Sequence, residues 1–318
     1  MPVIAYFGPA GTFTEMAANR LVDTGAGPLA GVADAVTLLP VSSPTNVIQA
    51  VRRGDAQYGC VPVESSLEGS VPATMDALVP DSDADAVQIF AETVLDIAFT
   101  IGAARALEPD EVATIAAYPV AEAQVRDGVA ARFPNAAFVM ASSNSAAASE
   151  VAAGKADAAV TTPVAAAANG LHVLAENLAD SDGAATRFVL LGRPGPVPAR
   201  TGNDRTSVIV ELANRPGSLL AVLDEFAGRG IDLTRIESRP RRNHNPTGVD
   251  YRFFIDAVGH IDDAAIGEAL RALYRGVERL VFLGSWTVDG QGGAPPPDHG
   301  PSEAWFARLR GTESEEGA

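Results

Sequence analysis

The chain has one cysteine in 318 residues, so an internal disulfide framework is excluded. That residue, Cys60, lies in the apolar run Tyr58 to Val63, where a buried structural thiol is the simplest reading. Long apolar runs are also missing. Gly, Pro or a charge breaks each one well short of the ~20 residues a membrane span needs. The first residues enter a strand-like segment, Val3 to Phe7, without a basic n-region, an apolar h-region or a small-residue cleavage site, so the expected location is cytoplasmic.

Positive charge is scarce: 23 Lys and Arg stand against 40 Asp and Glu, a formal net charge of −17. That balance argues against nucleic acid, whose binding rests on clustered cations. An acidic chain that binds an anion must make positive potential locally, from particular arginines, helix N-termini or backbone amides. The four histidines, His172, His244, His260 and His299, show no metal-ligand spacing, so no metal is expected. No Ser-His-acid arrangement can be assembled from sequence either.

What is present is an ordinary globular composition, 47% hydrophobic and 20% charged, in a chain long enough for two domains. Through about residue 193, short apolar runs alternate with Ala-rich segments of helical length, the pattern of an α/β sheet built from crossover units. The runs are 3–7, 58–63, 113–117, 137–141, 158–162 and 187–191. The helical segments are 15–24, 45–53, 71–78, 120–132, 145–153 and 163–169. A longer mixed run, Thr93 to Ala103, reads as a crossing strand that divides the sheet into two lobes, the second spanning about residues 76–175, with a cleft between them. If the strand after Thr186 returns to the first lobe, the fold is two-lobed in the manner of periplasmic binding proteins.

Residues 194–204 are rich in Pro and Gly and suit a linker. From 205 to 287 the order is strand, helix, strand, strand, helix, strand, a ferredoxin-like βαββαβ arrangement. Residues 288–318, with the run Gly-Gly-Ala-Pro-Pro-Pro-Asp, are expected to form a disordered tail carrying at most a helical turn near 302–309.

Several short motifs stand where ligands bind. Gly8-Pro-Ala-Gly-Thr-Phe-Thr-Glu15 follows a strand and opens a helix, so its amides, with Gly11, Thr12 and Phe13 at the turn, make a ready anion site or an ordinary capped turn. Val61-Pro-Val-Glu-Ser-Ser66 ends a strand and offers Glu64, Ser65 and Ser66 either to a cleft or to helix capping. Thr186-Arg187-Phe188 opens another strand, and Arg187 is either solvated or a bidentate partner for a carboxylate. In the second domain Asn214, Pro216, Gly217, Ser218 and Leu219 lie between strand and helix, and Glu237-Ser238-Arg239-Pro240 ends the next strand. The two loops suit a small zwitterion or plain capping.

In this order, and with Asn169-Gly170-Leu171 between them, these motifs resemble monofunctional prephenate dehydratase over about residues 3–287. The resemblance implies a two-lobed catalytic domain that converts prephenate to phenylpyruvate, carbon dioxide and water, then an ACT domain that binds phenylalanine as feedback inhibitor. No cofactor is implied, and a homodimer or homotetramer is. The threonine of Thr-Arg-Phe is the residue that the family ties to catalysis, so Thr186 inherits that role, with Arg187 as anion partner or cleft-shaping residue and Phe188 packing. Glu64, Ser65 and Ser66 join the catalytic set, and Gly11, Thr12, Phe13, Asn169, Gly170 and Leu171 the substrate wall. The chain departs from the family pattern at Ser65, where Asn is common, at Ala184-Ala185, where an Asn often precedes Thr-Arg-Phe, and at Ser218-Leu-Leu220. Arogenate dehydratase and a non-enzymatic amino-acid-responsive sensor are the alternatives.

Overall fold

The computed structural model describes residues 1–32, 35–180, 183–241 and 250–311. His244 and the end of the expected tail, 312–318, lie outside the described residues. The chain forms two compact units, Met1–Val87 with Glu92–Pro194, and Gln88–Ala91 with Gly195–Ala318.

The first unit runs β1 (Val3–Phe7), α1 (Phe13–Asp23), β2 (Thr37–Val41), α2 (Pro44–Arg53), β3 (Tyr58–Ser65), β4 (Gly69–Ser70), α3 (Pro72–Leu78) and, from Glu92 onward, β5 (Gln88–Asp96). It continues with β6 (Phe99–Ala103), β7 (Thr114–Ala117), α4 (Pro119–Arg132), β8 (Ala137–Met140), α5 (Asn144–Ala152), β9 (Ala158–Thr161), α6 (Pro163–Ala168), β10 (His172–Leu178) and β11 (Ala185–Gly192). Two sheets result, ordered β2-β1-β3-β11-β5 and β10-β6-β9-β7-β8. β1 is parallel to β2 and β3, and β11 returns antiparallel to β3. In the second sheet β7 is parallel to β8 and β9.

The long run expected as one crossing strand is two strands. The Ile97 N–H donates to the Ala184 carbonyl at 2.6 Å, which ties together the two places where the chain passes between sheets and breaks the run there. The second sheet therefore draws on residues 99–178, whereas α3 and β5 stay with the first. β2 and β10 carry no clear period in sequence. Both are edge strands with mostly exposed or half-buried residues, so neither periodicity nor apolar content marks them. Most of the legible strands are buried; β8, an exposed edge strand, was legible only from its short apolar run. β9 is buried throughout, and β11 is buried from Phe188 onward.

Helices start where the chemistry favours it. Thr12, Ser43, Ser143 and Thr162 cap α1, α2, α5 and α6 by accepting from the amide three residues on, which satisfies one of the orphan donors at each start. Pro44, Pro72, Pro119 and Pro163 open their helices at the position where a missing N–H costs nothing.

The second unit contains β12 (Asp204–Glu211), α7 (Ser218–Ala227), β13 (Leu233–Pro240), β14 (Tyr251–Val258), α8 (Ala264–Gly276), β15 (Arg279–Thr287) and a last helix, α9 (Gly300–Arg310). Its sheet order is β13-β14-β12-β15, all antiparallel. Val208, Val210 and Ile255 of the sheet pack with Val222, Phe226 and Leu273 of the two helices.

The stretch expected as disordered tail departs from that expectation over its described part. Asn203 bonds the Gly290 carbonyl at 2.8 Å and the Gly292 amide at 3.0 Å. A Cβ at Gly259 would meet the Pro296 ring at 2.8 Å, and one at Gly230 the Pro297 ring at 2.9 Å. Prolines have little conformational freedom to lose, and the two glycines give their rings flat seats. The Pro-rich linker is likewise fastened to this unit. His260 Nε2 lies 2.9 Å from the Pro198 carbonyl, and Arg200 pairs with Asp263 at 2.6 Å.

Candidate active site

The two sheets of the first unit present their strand ends to one another. β1 and β3 run parallel, so the turn after Phe7 and the loop after Ser65 leave the same edge of the first sheet. Antiparallel β11 brings its first residues, Ala185 and Thr186, to that edge too. Opposite stand the carboxyl ends of β8 and β9, from which α5 and α6 start. The Ser145 hydroxyl donates to the Ala10 carbonyl at 2.5 Å, and the Thr162 hydroxyl to the Gly11 carbonyl at 2.7 Å. Phe13 and Phe99 meet edge to face with centroids 5.6 Å apart. A crevice at the carboxyl ends of strands, ringed by helix N-termini, is the usual ligand position in an open α/β sheet and favours negative charge.

The glycine turn is built around Glu15. Its carboxylate accepts from the Gly11 amide at 2.6 Å and from the Tyr6 hydroxyl at 3.0 Å. Burial first, then Glu15, pushes the Tyr6 phenol up from its ordinary value, so it stays a neutral donor. Gly11 is therefore not free to hold an anion: its N–H already serves Glu15, and its carbonyl serves Thr162. No acceptor is recorded among the described residues for the amides of Thr12, Phe13 and Thr14 at the start of α1.

On the facing strands, Thr186 pairs with Ser65 and Arg187 with Glu64. Successive side chains alternate between faces, so Thr186 and Ser65 share one face while Arg187 and Glu64 share the other. A bulge follows: Phe188 lies opposite Pro62, so Val63 is the extra residue on β3. Such bulges re-aim the side chains beside them. The Thr186 side chain is half-buried, and no hydrogen-bond partner is recorded for its hydroxyl among the described residues. β3 separates β11 from β1, so about 9–10 Å, two strand spacings, lies between the Thr186 strand and the glycine-turn strand. A six-membered ring with two substituents fits that span.

The family model for prephenate dehydratase matches residues 4–196, and the ACT domain model matches residues 206–273. The chain belongs to the prephenate dehydratase family. A prephenate dehydratase of Mycobacterium tuberculosis is 50% identical over 98% of this chain and 95% of its own length. Among solved structures, a prephenate dehydratase from Arthrobacter aurescens in complex with L-Phe has a TM-score of 0.83 at 35% identity, covering 97% of this chain and 99% of that one. A quorum-quenching acylase, GqqA, shares the architecture with a TM-score of 0.76 at 26% identity, covering 90% of this chain and 98% of its own.

Set against the family motifs, the structure sorts the expected residues into several environments. Ser66 holds the loop before β11 by accepting from the Ala185 amide at 2.9 Å and donating to the Gly183 carbonyl at 3.4 Å. Ser65 accepts from the amides of Leu67 and Glu68, which leaves its own proton to give. The Asn169 side chain bonds the Ala165 carbonyl and ends α6. Gly170 is exposed in the αL conformation, Leu171 is buried under β6, and Phe188 packs in the core at 2% exposure. Arg187 is no open anion clamp: it bonds Glu64 at 3.1 Å and Glu92 at 3.3 Å.

The sequence reading included Glu15 in the turn without giving it a role, and it missed Tyr6, Glu92, Ser145 and Thr162. Only the last two left a signal, since Ser-Ser-Asn-Ser145 and Thr-Thr162-Pro have the form of helix starts.

In the ACT domain, β12 and β13 run in the same direction, each antiparallel to β14. The Asn214–Gly217 turn and the end of Glu237–Pro240 therefore lie at one end of the sheet. Gly217 starts α7 at φ +84°, and Asn214, Pro216 and Gly217 are exposed while Ser218 and Leu219 are half-buried. A cavity of about 310 Å³ opens between the start of α7 and the end of α8, lined by Leu212, Arg215, Ser218, Val222, Leu273 and Val277 among others. Glu237 to Pro240 do not line it. Glu237 instead bonds Arg235 on its own strand.

Proposed function

We propose that the protein is a prephenate dehydratase, and that its reaction takes place in the cleft between the two sheets of the first unit. The observation that carries the proposal is the half-buried Thr186 hydroxyl, with no hydrogen-bond partner among the described residues, on the same sheet edge as the start of α1, whose first amides have no acceptor among them. Prephenate is a dianion with a ring hydroxyl. When its ring carboxylate leaves as carbon dioxide, the electrons of that C–C bond move into the ring and expel the hydroxyl, which departs with a proton as water. Phenylpyruvate remains, and aromaticity makes the step downhill.

The protein's task is to hold the dianion and stabilise the leaving oxygen. The start of α1, with the amides of Thr12, Phe13 and Thr14, suits a carboxylate. Thr186 donates to the leaving hydroxyl, and Ser65, on the same face, has a proton to give beside it. Glu64 stands on the other face of the sheet, paired with Arg187, so the charge nearest the reacting ring is not a free cation. That suits a reaction in which tight ground-state pairing of the ring carboxylate would slow its loss.

The ACT domain is read as the sensor of phenylalanine, the ligand named for the Arthrobacter relative. Within one chain the 310 Å³ cavity takes in Ser218 but not Glu237–Pro240, so an effector touching both motifs calls for a second copy. This favours a homodimer or homotetramer.

The test is formation of phenylpyruvate from prephenate, followed by ultraviolet absorption, with and without phenylalanine. Turnover that falls as phenylalanine is added supports both domains' roles. Absence of phenylpyruvate, or faster turnover of arogenate, would overturn the substrate. Gly217→Val forces a β-branched residue into a φ of +84°, a conformation such residues rarely adopt. It is expected to weaken phenylalanine inhibition at least ~10-fold, a coupling of about 1.4 kcal/mol. Inhibition at the wild-type concentration would remove the turn from the effector site.

A further inference from the structure

We propose that Glu92 is a positioning residue for the reaction, acting through Arg187 on the strand edge that carries Glu64 and Thr186. The proposal rests on the dehydratase reading above. It begins from three charges laid across neighbouring strands: Glu64 on β3, Arg187 on β11 and Glu92 on β5. Their side chains grade from exposed to buried, at 40% for Glu64, 11% for Arg187 and 1% for Glu92.

Burying a carboxylate so fully is costly unless a cation meets it, and an apolar residue of similar volume would often serve folding as well or better. Stability alone is therefore a poor account of Glu92. Its geometry offers a better one. The guanidinium is a rigid planar fork, and Glu92 holds Nη1 at 3.3 Å while Glu64 takes Nη2 at 3.1 Å. With one arm fixed from inside the sheet, the other cannot swing away from Glu64.

β5 and β11 are also the strands by which the chain leaves and re-enters the first sheet. Just beyond the ion pairs, the Ile97 amide bonds the Ala184 carbonyl at 2.6 Å. The side-chain pair and this main-chain bond together fix where β11 begins, and with it Thr186. The three charges sum to −1, so the group offers no free cation to a dianionic substrate. Its loss should appear in turnover, not in substrate affinity.

Glu92→Gln keeps the shape and an acceptor for Arg187, whereas Glu92→Leu keeps only the volume. Measured as phenylpyruvate formation beside the wild type, Glu92→Gln is expected to lower kcat about 10-fold and Glu92→Leu about 100-fold, with KM within about 2-fold in both. In a Glu64→Gln background the further change to Glu92→Gln is expected to alter kcat by less than about 2-fold, because the two residues act through one guanidinium. A thermal melt of Glu92→Gln matching the wild type separates this role from unfolding. If Glu92→Leu does not fold, the Gln variant and the double variant decide.

Wild-type turnover in Glu92→Gln, a rise in KM at constant kcat, or a full additional loss in the Glu64→Gln background would each overturn the proposal. An inactive wild type would instead overturn the dehydratase reading.

Discussion

Thr186→Ala is expected to lower kcat by about 10²–10⁴-fold with KM changed by no more than about 3-fold. The hydroxyl is a weak acid, so what it gives is a positioned hydrogen bond to the departing oxygen and not a free proton. Such a bond matters only once charge develops on that oxygen, which is why turnover falls and affinity does not. The strand itself should survive the change. Thr186 is only half-buried, and among the described residues its hydroxyl bonds no other element. Thr186→Ser, which restores the hydroxyl on a smaller side chain, is expected to recover turnover to within about 10-fold of wild type. Single-turnover rates of prephenate loss would check both variants. Near-normal rates for Thr186→Ala would move the catalytic donor elsewhere, with Ser65, its cross-strand partner, the next candidate.

The motif residues differ in how far their chemistry was legible, and the reason is physical. A turn that opens a helix announces itself through Gly, Thr and Glu at fixed spacing, so the Gly8–Glu15 turn could be found in sequence. Which groups remain free in it could not, because the Glu15 carboxylate folds back onto the Gly11 amide and takes up the donor that seemed open. Arg187 presents the same problem in another form. Its neighbours Glu64 and Glu92 are 123 and 95 residues away in sequence, and no local pattern marks a pairing made across three strands.

The core strands were readable because burial on both sides makes a continuous apolar run. Edge strands β2 and β10 lack that run. The tail was read as disordered on composition alone, yet two glycines, one just after β14 and one after α7, give its prolines a place to lie, a complementarity that composition does not contain.

Gly11→Ala is expected to lower kcat/KM by about 100-fold or more, because it acts on a turn that ties the first sheet to the starts of α5 and α6. At φ +82° a side chain is strained whatever the space around it, at a cost of roughly 1–2 kcal/mol. The space is also missing. The new Cβ would lie 2.8 Å from the Ala165 Cβ, 3.2 Å from the Ala165 Cα and 3.0 Å from the Ser145 hydroxyl. A hydroxyl can rotate away, but the backbone of α6 cannot move without carrying Thr162, whose hydroxyl both caps α6 and bonds the Gly11 carbonyl. The second sheet is therefore pushed back from the first, and misplacement of about 1 Å at a reacting centre is enough for a 100-fold loss. Steric and conformational causes separate in a double variant. Ala165→Gly removes the nearer obstruction but leaves the strained φ, so Gly11→Ala with Ala165→Gly should regain part of the lost kcat/KM while staying less heat-stable than the wild type. Full activity in the single variant would mean that the two sheets need not approach through this turn for the reaction to proceed.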